Sequence, residues 1–263
     1  MDIITLTFGD MAENSVGMEK LGNLVNPGEG FQLSDLNQIK ELMEIKQAIC
    51  ELIPLGNDKT PEAFVLVIKN GVNILLSDYG FDKEKLFEEQ ANLEHDKYKF
   101  QRGGVVNSRA RYNLCFGENN QEPDYANKKG RIVSYNNVPI TKTLLDSFAQ
   151  FGDKATNLQI EANYYYDKSK CGIGFHGDKE RRKVIGIRLG DEVSSPLLFQ
   201  WYLRLKPRHK RIEIPLEAGD IYIMSEKAVG TDWGKQICYT LRHATGSLNQ
   251  TGKRKNRPED EDE

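Results

Sequence analysis

The sequence predicts an α+β fold. A mixed helix–strand region covers residues 1–100, and a sandwich or barrel of short strands covers residues 101–250. Three observations carry that expectation. Beyond residue 100, short apolar segments recur at close intervals between Gly, Pro or Asp turns, the pattern of a two-layered β unit. Helical periodicity is confined to a few segments, most of them before residue 100. The charge divides at the same place: residues 1–100 hold 18 acids against 9 basic residues, and the rest holds 27 basic residues against 21 acids. The net charge of −3 over 263 residues hides a balance of −9 followed by one of +6. Such asymmetry suggests a polyanionic partner for the basic part or, more simply, two solvated surfaces.

The elements follow in order. Ile3-Ile4-Thr5-Leu6-Thr7-Phe8 reads as a strand closed by Gly9-Asp10, and Asn26-Pro27-Gly28-Glu29-Gly30 as a loop. Ser34 looks like an N-cap, and Leu36, Ile39, Leu42, Met43, Ile45 and Ile49 follow helical spacing. Ala63 to Ile68, then Asn70-Gly71, then Val72 to Leu76 carries the signature of a hairpin. Residues 82–93 read as an acidic helix, 111–116 and 131–135 as strands, and 140–151 as a helix. Strands are then expected at 158–166, 172–176, 184–189, 197–203, 212–216, 220–224 and 237–243. Thr251 to Glu263, a Lys/Arg cluster followed by acids with no apolar anchor, is expected to be a disordered tail.

Several classes are unfavoured. No apolar run approaches the roughly 20 residues of a membrane helix. Met1 to Asp10 lacks the basic start of a signal peptide, so an intracellular compartment, cytoplasmic or nuclear, is expected. Cys50, Cys115, Cys171 and Cys238 form no C-x-x-C pair and read as reduced thiols.

The chemistry concentrates in Gly172-Ile173-Gly174-Phe175-His176-Gly177-Asp178. In extended chain, an H-x-D pair puts both side chains on one face. With a distant His, the pair makes a two-His, one-carboxylate triad, a donor set suited to Fe(II) that leaves open positions for a co-substrate and dioxygen. Taken alone, H-x-D is a weak signal and is also found in ordinary surface turns. Its surroundings strengthen it: Asn163-Tyr164-Tyr165 upstream, then Phe199-Gln200, Gly219-Asp220 before Ile221 to Ser225, and finally His243. The other two histidines, His95 in an acidic helix-like stretch and His209 in the basic loop Lys206–Arg211, read as exposed.

In this order and spacing, residues 131–246 resemble the AlkB family of Fe(II)/2-oxoglutarate-dependent dioxygenases. The resemblance implies a double-stranded β-helix (jelly roll) with flanking helices over 101–250, with residues 1–100 as an α+β extension of unassigned role. It implies iron bound by His176, Asp178 and His243, with 2-oxoglutarate as co-substrate and dioxygen as oxidant. It further implies hydroxylation of a C–H bond, notably oxidative demethylation of a nucleic-acid base. DNA or RNA would meet the basic segments Lys179–Lys183 and Lys206–Arg211, with no membrane contact. Two other readings stand beside it: a catalytically silent jelly-roll nucleic-acid-binding protein, and an oxygenase acting on a protein side chain.

The chain departs from the family in two ways. The family follows its distal His with a strand R-x-N-L-x-F-R, whose arginines hold the carboxylates of 2-oxoglutarate. Nothing after Gly246 resembles it, but Arg111-Tyr112-Asn113-Leu114-Cys115-Phe116 does. A circular rearrangement would make Arg111 and Asn113 the co-substrate contacts, with Asn163 and Tyr165, and would leave Gly117 where the last arginine belongs. Family spacing, moreover, puts the third ligand near Asp232 instead of His243. On that alignment Arg242 anchors 2-oxoglutarate. Colinearity favours Asp232, and coordination chemistry favours His243.

Overall fold

The computed structural model describes residues 3–190 and 196–247. The expected tail 251–263 lies outside the described residues. Two sheets carry the fold. The larger has eight strands in the spatial order β4 (Cys50–Pro54), β5 (Phe64–Ile68), β15 (Ile221–Met224), β12 (Val184–Gly190), β1 (Ile3–Gly9), β10 (Gln159–Tyr165), β8 (Tyr112–Gly117) and β9 (Ile132–Ser134). The smaller has the order β11 (Gly172–His176), β16 (Thr240–Gly246), β13 (Leu197–Leu203) and β14 (Lys206–Ile214). Neighbouring strands are antiparallel except β8 and β9. Two small hairpins, β2 (Met11–Glu13) with β3 (Lys20–Gly22) and β6 (Tyr98–Gln101) with β7 (Gly104–Asn107), stand apart.

The central strands are buried on both faces, and their alternation divides the interior in two. From β1, Ile4, Leu6 and Phe8 point into one core, together with Ile160 and Ala162 of β10 and Ile185, Ile187 and Leu189 of β12. That core is closed by helices α1 (Leu33–Ile45), α2 (Gly71–Leu76), α3 (Lys83–Ala91) and α4 (Pro139–Ser147), which lay Leu36, Ile39, Leu76, Leu86 and Leu144 against the sheet. Each fully buried Leu, Ile or Phe contributes about 1.5–3 kcal/mol. The opposite face of the large sheet packs on the small one: Val65, Val67, Val184, Tyr222 and Met224 meet Leu197, Phe199, Trp201, Ile214 and Leu241 in a second core. Toward β1, β10 and β8 that inter-sheet face turns polar, with Thr5, Thr7, Glu161, Asn163 and Asn113, all buried.

The boundary expected at residue 100 does not divide the fold. β1 pairs with both β10 and β12, and β5 pairs with β15, so residues 1–100 supply interior strands to the same sheet. Pairing between strands so distant in sequence leaves no local mark that composition could reveal.

Asn70-Gly71 turns a strand into α2 instead of into a second strand. Asn70 takes the left-handed conformation (φ 51°) and donates its N–H to Asp220 Oδ1 at 2.9 Å. Val72, Leu75 and Leu76 then reach the helical core at i, i+3 and i+4. An apolar run of this length fits either periodicity, and tertiary packing decides. α1 starts earlier than Ser34 suggested, from a reciprocal capping box between Gln32 and Asp35.

The basic segment 206–211 is the start of β14, not a loop. Arg204 and Leu205, both left-handed, close a two-residue turn between Leu203 and Lys206. His209, expected on the surface, is half-buried and packs on Tyr239.

His95, also expected at the surface, is 8 % exposed and stacks on Tyr164 with ring centroids 4.7 Å apart. Burial pushes its imidazole down to about 4. The unfolded chain therefore binds a proton that the folded chain refuses, and stability falls as pH drops from about 6.5 to about 4. His95→Gln is expected to remove about 3 kcal/mol of that dependence. Urea denaturation at pH 7 and pH 4.5 measures it, and an unchanged difference between the two pH values contradicts it.

Candidate metal centre

The small sheet brings His176, from β11, and His243, from β16, together with Asp178 just past β11. Their ligand atoms all lie within 4.8 Å of one another. His176 and His243 face each other directly across β11 and β16, with ring centroids 4.5 Å apart. A bulge produces this pairing. Ile173 pairs with Thr245 and His176 with His243, so β11 fits one extra residue into the interval. Without it Phe175 would oppose His243 and His176 would point away. Re-aiming a side chain is what a bulge beside a site does. The bulged segment also supplies an orienting acceptor: His176 Nδ1 lies 2.8 Å from the carbonyl of Gly174. A proton held there leaves Nε2 as the free donor atom.

Asp178 stands just past the strand, held by its N–H donating to Val229 O at 3.1 Å. The short helix α5 (Glu226–Val229) brings that carbonyl in, and a glycine contact permits the approach. A Cβ on Gly177 would sit 2.1 Å from Gly230 O, so no other residue fits between H and D here. Asp178 Oδ1 is 3.5 Å from His176 Nε2 and 3.4 Å from His243 Nε2, while Oδ2 turns to Arg181 Nε at 3.4 Å.

Burial alone would raise the Asp178 carboxyl, but His243, Arg181 and His176 together hold it below the usual carboxylate range. The packed surroundings, and then His243, push the His176 imidazole down to about 4. An ionised carboxylate and a neutral imidazole are the forms that coordinate a metal. His176 is the most solvent-accessible of the three, its side chain 29 % exposed against 12 % for Asp178 and 10 % for His243. The cluster is therefore open on the His176 side.

Asp232, the rival third ligand, lies elsewhere: its carboxylate pairs with Lys227 Nζ at 2.8 Å. Arg242 is not a pocket residue either. It pairs with Gln200 across β13 and β16, on the face opposite to His243. Its guanidinium lies 3.9 Å from the Tyr202 ring centroid and 4.8 Å from that of Trp233.

Arg111, Asn113 and Asn163 do come together. Arg111 Nε donates to Asn163 Oδ1, which also accepts from Asn113 Nδ2 at 3.0 Å. Tyr165 is buried two residues along from Asn163 on the same face. The strand Tyr112–Gly117 sits outside β10 and not beside β12.

Two of the basic residues in Lys179–Lys183 are not available to a phosphate backbone. Arg181, 3 % exposed, pairs with Glu161 at 2.6 Å, Glu180 at 2.9 Å and Asp178 at 3.4 Å. Arg182 faces Glu226 at 3.6 Å. Sequence reading missed Arg181, Glu161 and a second interior arginine, Arg188. The available signal was a lone charge in the apolar run Val184 to Leu189.

A separate cationic cleft of about 560 Å³ lies between the β2–β3 connection and β6, lined by Lys99, Arg102, Arg111 and Lys128 around Phe100. No acid lines it among the described residues. Burial, and then the neighbouring Arg111, lower the Lys99 ammonium below its ordinary value. Arg111 thus belongs to both the cleft and the interior polar cluster.

Two packed sheets with an inward-facing cluster of two imidazoles and a carboxylate define an α+β protein with a candidate metal centre. No helix among the described residues is long and apolar enough to cross a membrane. The chain belongs to the same family as R156, an uncharacterized protein of Acanthamoeba polyphaga mimivirus. The two are 45 % identical over 252 residues, 93 % of this chain and 96 % of the relative. No family model matches the chain.

Proposed function

We propose that this protein is an Fe(II)/2-oxoglutarate-dependent dioxygenase with an AlkB-like jelly roll. The observation that carries the reading is the convergence of His176 Nε2, His243 Nε2 and Asp178 Oδ1 between the two sheets. The donor chemistry fits the metal: two imidazoles and one carboxylate are the set that non-haem Fe(II) takes while keeping positions open. The strand path supports the fold. From β10 to β16 the chain passes between the two sheets in the manner of a double-stranded helix, leaving one place between β10 and β12. β1 fills it. Its Thr5-Leu6-Thr7-Phe8-Gly9 is similar to the N-L-x-F-R part of the family's last strand, so the rearranged strand is β1.

When bound, iron with 2-oxoglutarate and dioxygen supplies oxidation of a substrate C–H bond, with succinate and carbon dioxide as co-products. The residues of the chain hold and shield this chemistry. Gly174 O fixes the His176 tautomer, and Arg181 holds the outer oxygen of Asp178 so that the inner one faces the imidazoles. Asn163 and Tyr165 present polar atoms from β10 to the co-substrate. Phe199, with its ring centroid 6.2 Å from that of His243, keeps the small-sheet side apolar.

The test is anaerobic titration of the protein with Fe(II) and 2-oxoglutarate. A weak visible charge-transfer band is expected. Its absence from the wild type would leave the catalytically silent reading in place.

For the substrate, the cationic cleft supports a polyanion, in keeping with a nucleic-acid base. Binding of single-stranded DNA is expected to weaken with salt at a log–log slope of about −2 to −3, since up to four cations meet phosphates. Lys99→Glu is expected to flatten that slope. Binding that is absent or indifferent to salt favours a protein side chain as substrate instead.

A further inference from the structure

The interior holds one arginine whose charge nothing among the described residues balances. Arg188 follows Val184 and Gly186 on the inter-sheet face of β12 and is 1 % exposed. One nitrogen reaches across to the small sheet, where Nη2 donates to Thr245 Oγ1 at 3.0 Å. Its Nε is buried without a partner. No carboxylate lies within salt-bridge distance of it among the described residues, whereas Arg181 has three. A guanidinium keeps its charge in a protein interior. Burying it without an anion is costly, and an uncompensated buried charge calls for a counter-ion.

The surroundings say where that anion would lie. Arg188 pairs with Thr5, Thr5 with Asn163, and Asn163 with Asn113, so one row of polar side chains crosses β12, β1, β10 and β8. Residues in one such row share a face. Thr245, which holds Arg188, is two residues beyond His243 on the same face of β16. Two residues of strand span about 6–7 Å. A metal at His243 and a guanidinium held at Thr245 therefore stand apart by about the length of a short dicarboxylate. The Tyr222 ring closes over Gly186 on β12, where a Cβ would lie 2.0 Å from it.

We infer that Arg188 grips the far carboxylate of 2-oxoglutarate. The inference rests on the dioxygenase reading for the identity of the ligand, but not for the presence of an anion site. It moves the anchor away from Arg111 and Arg242 and onto a strand next to the one that carries it in the resembled family. β1, which fills that family position, has Ile3 and Gly9 where arginines would stand. A planar guanidinium suits bidentate carboxylate recognition, and Lys does not reproduce that geometry.

Binding separates this from its alternatives. The metal-free protein is titrated calorimetrically with glutarate, and the Fe(II)-loaded protein anaerobically with 2-oxoglutarate and with 2-oxobutyrate, which lacks the far carboxylate. The wild type is expected to bind glutarate without metal and to prefer 2-oxoglutarate to 2-oxobutyrate by about 50-fold, the worth of a charge-assisted pair. Arg188→Gln is expected to abolish that preference while leaving Fe(II) affinity within about threefold, and Arg188→Lys to restore part of it. Arg111→Gln and Arg242→Gln are expected to retain it. If Arg188→Gln does not fold, the wild-type comparison of the two oxo acids, with Arg188→Lys, decides. Equal affinity for both oxo acids, or a preference that survives in Arg188→Gln or undiminished in Arg188→Lys, overturns the assignment. If no iron binds but glutarate still does so through Arg188, the dioxygenase reading fails and the carboxylate site stands.

Discussion

Arg181→Met is expected to lower folding stability by about 3–5 kcal/mol, because it strands buried carboxylates. The side chain is 3 % exposed and lies against Glu161, Glu180 and Asp178, whose side chains are 8 %, 16 % and 12 % exposed. Among the described residues, Arg181 is the one buried cation that these three carboxylates share. Without it, Glu161 and Asp178 keep Asn163 and the histidines as neighbours, but no buried cation. The Glu180 carboxyl already sits above its ordinary value through burial and the charge of Asp178. It would be the first to take a proton. The loss should therefore be largest at neutral pH and shrink in acid, where the carboxylates neutralise. Urea midpoints at pH 7 and pH 5 measure this. Arg181→Lys, which keeps the charge but loses the fork, is expected to fall between. A loss below about 1 kcal/mol at pH 7 would mean that solvent already balances the cluster, as at an exposed ion pair.

The same network shows where sequence reading stops. The strands Gly172 to His176 and Leu197 to Leu203 were legible residue for residue, since Gly and Pro punctuate them and β-branched or aromatic residues fill them. The H-x-D pair was legible because its chemistry is local. Three things were not. β1 reads the same whether it sits at an edge or between β10 and β12, because pairing across more than 150 residues leaves no local signature. The bulge in β11 has only the generic signal of Gly174 inside a strand, which fixes neither its place nor its register, although without it His176 could not face His243. The basic run Lys179–Lys183 suggests a surface by composition. Two of its arginines, Arg181 and Arg182, instead turn to Glu161 and Glu226, which come from other parts of the chain. Arg188 is the instructive miss: an alternation of Val184, Gly186 and Arg188 against Ile185, Ile187 and Leu189 has one charge in a strand otherwise buried on both faces. Such a charge is a binding hypothesis on physical grounds alone.

The choice of third ligand makes the other large prediction. His243→Ala is expected to weaken Fe(II) affinity by at least about 100-fold, more than the loss of an outer-shell partner costs, and to abolish the visible band with 2-oxoglutarate. Asp232→Asn is expected to leave both unchanged. The geometry behind this is direct. His243 Nε2 is 3.4 Å from Asp178 Oδ1, close enough for one ion to touch both, and its ring is held between Phe199 and His176. Asp232 pairs with Lys227, whose Nζ also donates to Tyr239 O at 3.0 Å, and that arrangement ties its carboxylate to α5 and away from the histidines. Replacing His243 also removes one of the neighbours that hold the Asp178 carboxyl below its ordinary range. A band that persists in His243→Ala and disappears in Asp232→Asn would reverse the assignment. It would require the loop from Gly230 to Tyr239 to swing its aspartate inward, breaking the Asp232–Lys227 pair and leaving Lys227 without its carboxylate.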